Sequence, residues 1–143
     1  MREKNELGFI VKQIANIYEK DFNEKLKRIG ITSSQCAVLY HLLQSTKSEV
    51  NQRDIEKALN LRNPTVTGIL KRMEKKGLVL IVQNSADQRK KNVHLTEKAY
   101  DIQKRMEAER RNSERKLVIG MSRKEKEVLH RMLSKVLYNI EEI

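Results

Sequence analysis

The sequence predicts a mainly α chain carrying one small β-hairpin, an α+β arrangement, and three observations lead there. Apolar residues recur at intervals of three and four through most of the chain. Only two short runs, residues 78–83 and 92–95, are dense in β-branched and aliphatic residues. Most periodic stretches open on a capping residue or close on a glycine. At 143 residues the chain is large enough for one core and too small for two independent ones, so residues 1–143 are expected to form a single domain.

The elements follow in order. Leu7, Ile10, Ile14, Ile17 and Tyr18, then Phe22, Leu26 and Ile29, place a first amphipathic helix over residues 6–29, which Gly30 stops. Thr32-Ser33-Ser34-Gln35 has capping-box spacing and opens a second helix over about 33–45, with Ala37, Val38, Leu39, Leu42 and Leu43 as a buried stretch. Asn51 can cap a third helix whose apolar residues are Ile55, Ala58 and Leu59. Asn63 then reads as the cap of a fourth, with Pro64 at the first helical position, where its missing N–H does no harm. This fourth helix is expected to run to near Gly77, turning Ile69, Leu70 and Met73 inward and leaving Thr65, Thr67, Lys71, Arg72 and Lys75 outside. With only a tight connection between them, helices three and four form a helix-turn-helix.

Residues 78–83 and 92–95 flank the polar stretch Asn84-Ser85-Ala86-Asp87-Gln88-Arg89-Lys90-Lys91 and read as a hairpin. Thr96 caps a long fifth helix with Ala99, Ile102, Met106 and Leu117 on one side, broken at Gly120. Ser122-Arg123-Lys124-Glu125 is a second capping box. It opens a sixth helix with a broad apolar stripe of Val128, Leu129, Met132, Leu133, Val136, Leu137 and Ile140.

Residues 33–95 thus resemble a self-contained module, and the helices of residues 6–30 and 96–143 carry more apolar stripe than that module can cover. Left in water such stripes are costly, and pairing with a second copy is the simplest remedy, since two-fold dimers are the commonest assembly. Ile10, Ile14, Leu117, Leu129, Leu133, Val136, Leu137 and Ile140 are the expected dimerisation residues.

Thirty Lys and Arg against nineteen Asp and Glu give a net charge of +11, which points to an anionic partner. The excess is concentrated: residues 1–50 carry +2, residues 51–99 carry +6 and residues 100–143 carry +3. Solubility does not require a basic middle third, whereas phosphate neutralisation by Lys and Arg does. That third holds both the polar, basic outer face of helix four and the basic hairpin tip Asp87-Gln88-Arg89-Lys90-Lys91, a two-point grip suited to nucleic acid.

Asn63-Pro64-Thr65-Val66-Thr67, Met73-Glu74-Lys75-Lys76-Gly77-Leu78-Val79, Asp87-x-Arg89-x-Lys91 and Leu95-Thr96-Glu97-Lys98, in this order and spacing, resemble the MarR family of winged helix-turn-helix regulators, and the likeness covers essentially the whole chain. It implies a homodimeric transcriptional regulator, more readily a repressor than an activator. Two recognition helices would enter successive major grooves of a palindromic operator in double-stranded DNA, and each wing an adjoining minor groove. The residues it assigns to DNA are Asn63, Pro64, Thr65, Thr67, Gly68, Lys71 and Arg72 in the recognition helix and Asp87, Arg89, Lys90 and Lys91 in the wing. Small hydroxyl side chains at a helix start suit phosphates and base edges, and a narrow minor groove favours an inserted Arg, here Arg89. Asp87 is expected to brace Arg89 or a backbone N–H, and Lys91 to meet phosphate or pair internally. The sequence departs from the family where charged residues commonly occupy the positions of Leu80 and Ile81, and where Ala99 replaces a frequent glycine.

Family members are often released from DNA by small phenolic or lipophilic effectors. Tyr18, Phe22, His41 and Leu42 are the residues such a pocket would draw on here, although the same identities serve a plain core, the preferred reading. Cys36 rules out an internal disulfide, fits a reducing compartment, and reads as a small buried hydrophobe beside Ala37 and Val38 rather than as a redox sensor. Glu24, Cys36 and His41 lack a fourth partner for zinc, so no metal or cofactor is expected. The motifs of phosphate loops, zinc proteases and serine hydrolases are missing, so no enzymatic activity is expected. The rival reading is a winged helix that binds RNA or an acidic protein. With a charged start at Met1-Arg2-Glu3-Lys4-Asn5-Glu6 and no long apolar run, the sequence reads as a cytoplasmic protein without a membrane segment.

Overall fold

The structure is a computed structural model that describes residues 6–141; the start of the sequence, Met1 to Asn5, and the last two residues of the expected dimerisation region lie outside the described residues. Within them the order is α1 (Leu7–Ile29), α2 (Ser33–Gln44), α3 (Gln52–Leu59), α4 (Asn63–Lys75), β1 (Val79–Gln83), β2 (Lys91–Leu95), α5 (Glu97–Leu117) and α6 (Arg123–Glu141). This is the expected winged helix-turn-helix order. The described chain divides into two compact units, one ending at Ala108 and one beginning at Glu109.

The first unit holds the core. Leu26 and Ile31 join Val38 and Leu39 of α2, Ile55 of α3, Val66, Ile69, Leu70 and Met73 of α4, Leu78 and Val79, Val93 of β2, and Ala99 and Ile102 of α5 in one buried cluster. Four inward residues of α4 therefore hold the helix that carries the candidate DNA-reading face. Val66, fully buried, is one that the apolar spacing did not single out. Ala58, expected on the apolar face of α3, is exposed instead; in this eight-residue helix Ile55 is fully buried and Leu59 packs partly buried against the core.

Local chemistry sets the element ends. Thr32 Oγ1 accepts from the Gln35 N–H at 3.2 Å while Gln35 Oε1 accepts from the Thr32 N–H at 3.1 Å, closing the expected capping box. Asn51 and Asp54 make a second one at α3, with bonds of 2.9 and 3.1 Å. Burial pushes the Asp54 carboxyl up, but Lys47 at 2.9 Å and the Asn51 N–H outweigh it and hold its pKa below the ordinary value. That cap contribution is accordingly complete above the ordinary carboxylate range and is lost as pH falls below it. The Asn51→Ala variant is expected to lose about 1 kcal/mol of stability, read as a lower urea midpoint with an unchanged slope.

Helix α4 starts differently from the expectation. Arg62, extended at φ −83° and ψ 155°, is the N-cap, and no side chain caps the helix; Asn63 is already helical and Pro64 follows it. The Asn63 amide is drawn away from the cap position by a partner on α3, Glu56. At the other end Gly77 adopts φ +76°, a left-handed conformation open to glycine, and the Leu78 N–H reaches back to the Met73 carbonyl at 2.9 Å. The chain thereby turns straight from α4 into β1. Thr96 fastens the turn, donating to the Gly77 carbonyl at 2.6 Å while accepting from the Ala99 N–H at 3.3 Å, the cap expected of it.

β1 and β2 pair antiparallel with Val79 opposite Leu95 and Gln83 opposite Lys91, and an isolated bridge between Asn51 and Asn92 ties the hairpin to the start of α3. Inward Val79 and Val93 anchor the hairpin in the core, and outward Leu80 and Val82 are exposed.

In the second unit Gly120, at φ +82°, ends the turn after α5, and Ser122 and Glu125 close the expected capping box with bonds of 2.9 and 3.1 Å. Helix α6 has no fully buried residue: Val128, Met132, Leu133, Val136, Leu137 and Ile140 are exposed, and Leu129 is half-buried. In α1, Ile10 and Ile14 are also exposed, as is Leu117 of α5.

Candidate nucleic-acid interface

A cleft of about 740 Å³ opens between the starts of α3 and α4 on one side and the hairpin tip on the other. Asn51, Gln52, Arg53 and Glu56 line it from α3, Asn63 and Thr67 from α4, and Asp87, Arg89, Lys90 and Lys91 from the wing. The four cations there outnumber the two carboxylates. The cleft follows from two packing facts already described. Val66, Ile69, Leu70 and Met73 point inward, which leaves the Asn63–Thr67 face outward at helical spacing. The Asn51–Asn92 bridge and the bond from the Val93 N–H to the Val50 carbonyl at 2.8 Å hold the hairpin beside α3.

The wing tip is built from two side-chain turns. Asn84 Oδ1 accepts from the N–H groups of Ala86 and Asp87 at 2.9 and 3.1 Å, and Asp87 Oδ1 accepts from the Arg89 N–H at 3.1 Å. Lys90 N–H to the Asp87 carbonyl at 3.0 Å and Asn84 N–H to the Lys90 carbonyl at 2.9 Å close the loop on itself. Asp87 Oδ1 also accepts from Arg89 Nε at 3.2 Å, and the Arg89 side chain is 91% exposed. The Arg89 side chain, then its backbone N–H, hold the Asp87 carboxyl below the ordinary carboxylate range. An exposed ion pair of this kind is worth little, so the guanidinium is free to swing towards a phosphate or a groove while the backbone turn stays in place.

Across the cleft, Gln52 Nε2 lies 2.8 Å from Thr67 Oγ1, which lies 3.5 Å from Asn63 Oδ1, and Asn63 Nδ2 lies 3.0 Å from Glu56 Oε2. Of the residues assigned from sequence, Asn63, Thr67, Asp87, Arg89, Lys90 and Lys91 meet in the cleft. Thr65, Lys71 and Arg72 are exposed on α4 outside its lining, and Gly68 is half-buried under the Arg72 guanidinium, 3.5 Å from where a Cβ would stand. Gln52, Arg53 and Glu56 escaped the sequence reading. The signal available for them was position alone: they occupy the first two turns of the helix that precedes the recognition helix.

Elsewhere in the first unit, Tyr18, His41 and Leu42 are half-buried and Leu42 packs on the core, whereas Phe22 is 37% exposed. Phe22 therefore does not belong to the plain core expected for this group; it sits on a helix whose outward face is largely uncovered. His41 Nε2 is buried with no hydrogen-bond partner among the described residues. Cys36 is half-buried, and burial pushes its thiol pKa up, which disfavours the reactive thiolate. Among the described residues no group of three His, Cys, Asp or Glu is placed to hold a metal, and no helix is long and apolar enough to cross a membrane.

Comparison with known proteins agrees with this geometry. The family model described as "MarR family" matches residues 31–91, from the end of α1 to the wing. The crystal structure of MepR, a transcription regulator of the Staphylococcus aureus multidrug efflux pump MepA, is 27% identical over 94% of this chain and 98% of its own, with a TM-score of 0.85. A point variant of S. aureus MepR bound to an oligodeoxyribonucleotide is 27% identical over the same shares, with a TM-score of 0.78. S. aureus MepR bound to ethidium bromide is 26% identical over 96% of this chain and 98% of its own, with a TM-score of 0.72. Residues 31–91, the segment that holds the cleft, thus match the model of the MarR family, and the chain as a whole has the winged-helix fold of the S. aureus transcription regulator MepR.

Proposed function

We propose that the chain is a repressor that binds a palindromic operator as a homodimer, with α4 reading the major groove and the wing gripping the neighbouring minor groove and backbone. The observation that carries this reading is the cleft in which polar Asn63 and Thr67 face basic Arg89, Lys90 and Lys91. Polar side chains on a helix suit base edges, and cations on a projecting loop suit phosphates. Dimerisation is supported by the exposed apolar residues of α1 and α6, among them Ile10, Ile14, Leu133 and Leu137. Release by a small apolar or cationic ligand is part of the proposal, supported by the ethidium complex of the S. aureus relative and by half-buried Tyr18, His41 and Leu42 beside the module core.

The test is selection of bound duplexes from a random pool, followed by titration of the selected site against salt. The expected result is a palindrome with half-sites about 10 base pairs apart, one helical turn. If Arg89, Lys90 and Lys91 each neutralise one phosphate in each half-site, log K should fall with log salt with a slope of about −5. A flat salt response, or preference for RNA or an acidic protein over duplex DNA, would refute the reading.

A further inference from the structure

We infer that Glu56 and Gln52, neither of which needs to touch a base, set the hydrogen-bond polarity of Thr67, so that the recognition helix presents an acceptor and no donor at that position. The inference rests on the proposed reading of duplex DNA by α4 and goes beyond it to the class of base that is read.

Four side chains form one chain of hydrogen bonds between α3 and α4, and its direction is decided at one end. A carboxylate accepts and cannot donate, so Glu56 requires Asn63 to turn its amide nitrogen towards it, at 3.0 Å. The Asn63 amide oxygen is thereby turned towards Thr67, whose hydroxyl at 3.5 Å donates its single proton there. With that proton committed, the Thr67 oxygen accepts from Gln52 Nε2 at 2.8 Å and retains one free lone pair. The two members on each helix are four residues apart and so share one face, and Val66 and Ile55, both fully buried, lock the helices that carry them. The chain lines the cleft beside Arg89 and Lys90, where a base edge would enter.

An acceptor-only hydroxyl discriminates. In the major groove adenine N6 and cytosine N4 are donors, while guanine offers N7 and O6 and thymine offers O4, all acceptors. Thr67 should thus favour adenine or cytosine and oppose guanine or thymine, by roughly ten-fold, the lower end of what a good base contact supplies. Replacing Glu56 by glutamine removes the anchor. A glutamine can also donate to the Asn63 oxygen; the Asn63 amide can then turn its nitrogen to Thr67, whose hydroxyl, accepting from both Asn63 and Gln52, turns its proton to the base, and with both orientations open the fixed preference is lost.

The test is selection of bound duplexes from a random pool with the full chain and with the Thr67→Val and Glu56→Gln variants. Thr67→Val, which keeps the shape and deletes the hydroxyl, identifies the base position under Thr67 as the one whose preference it erases. At that position the unaltered chain is expected to select adenine or cytosine, and Glu56→Gln to reduce the preference to less than about three-fold while the rest of the motif persists. Guanine or thymine at that position, an unchanged preference in Glu56→Gln, or no position altered by Thr67→Val overturns the inference and leaves operator binding intact. No motif with the unaltered chain overturns operator reading itself, and the inference with it.

Discussion

A chain carrying aspartate at both Leu133 and Leu137 is expected to run as a monomer at micromolar concentration, where the proposed dimer of the unaltered chain should persist. Leu133 and Leu137 are 51% and 58% exposed in the single chain, on a helix that keeps no residue fully buried. Covering the remaining half of a leucine is worth about 1 kcal/mol or more, and a two-fold dimer contains four such side chains. The loss of about 4 kcal/mol already raises the dimer dissociation constant roughly a thousandfold, before the cost of burying carboxylates is added. Light scattering on a size-exclusion column reads the mass directly. Operator affinity should fall with it, because a monomer grips one half-site where the dimer grips two. The first unit has its own core, so circular dichroism should change little. A dimer of unchanged affinity would remove α6 from the interface.

The second large effect is expected at the wing. Arg89→Ala should weaken operator binding by about 1–3 kcal/mol per half-site, hence by about 2–6 kcal/mol, roughly thirtyfold to ten-thousandfold, for a dimer on two half-sites. The melting temperature should stay within about 2 °C of the unaltered chain, since a 91% exposed side chain and a solvent-screened ion pair contribute little to folding. The two readouts separate contact from structure. If Arg89 only braced the tip, binding would follow stability, but the turn is held by bonds that backbone N–H groups donate to the Asn84 amide and Asp87 carboxyl oxygens, which the substitution leaves in place. Unchanged affinity in a gel-shift titration would sink the role assigned to Arg89.

Much of the fold was legible because its determinants are local. A capping box reaches three residues, a left-handed glycine acts on one, and a helical stripe repeats within two turns. Thr32, Asn51, Thr96 and Ser122 as helix-start residues, Gly30 and Gly120 as stops, and the hairpin flanking the basic tip could therefore all be read in order. Where local signals compete, the reading failed in the way physics predicts. Asn63 before a proline has the chemistry of a cap, yet a carboxylate from another helix outbid the cap position, and α4 began one residue earlier. Ala58 fits the apolar spacing of α3, yet the helix is too short to bury more than Ile55 completely.

The candidate site was legible in its cations and not in its polar network. Arg89, Lys90 and Lys91 stand out because a run of charge between two β-branched segments can only be a tip. Gln52, Arg53 and Glu56 resemble the solvated face of any short helix, and their relevance depends on what lies across from them. By itself the sequence determined the order of the elements and marked the helix and the loop proposed to meet DNA, because periodicity, caps and charge act between near neighbours in the chain. Only the tertiary structure decided that Gln52 meets Thr67 and Glu56 meets Asn63. Residues fifteen and seven apart in sequence come within hydrogen-bond reach only after Ile55 and Val66 have packed their helices into a common core.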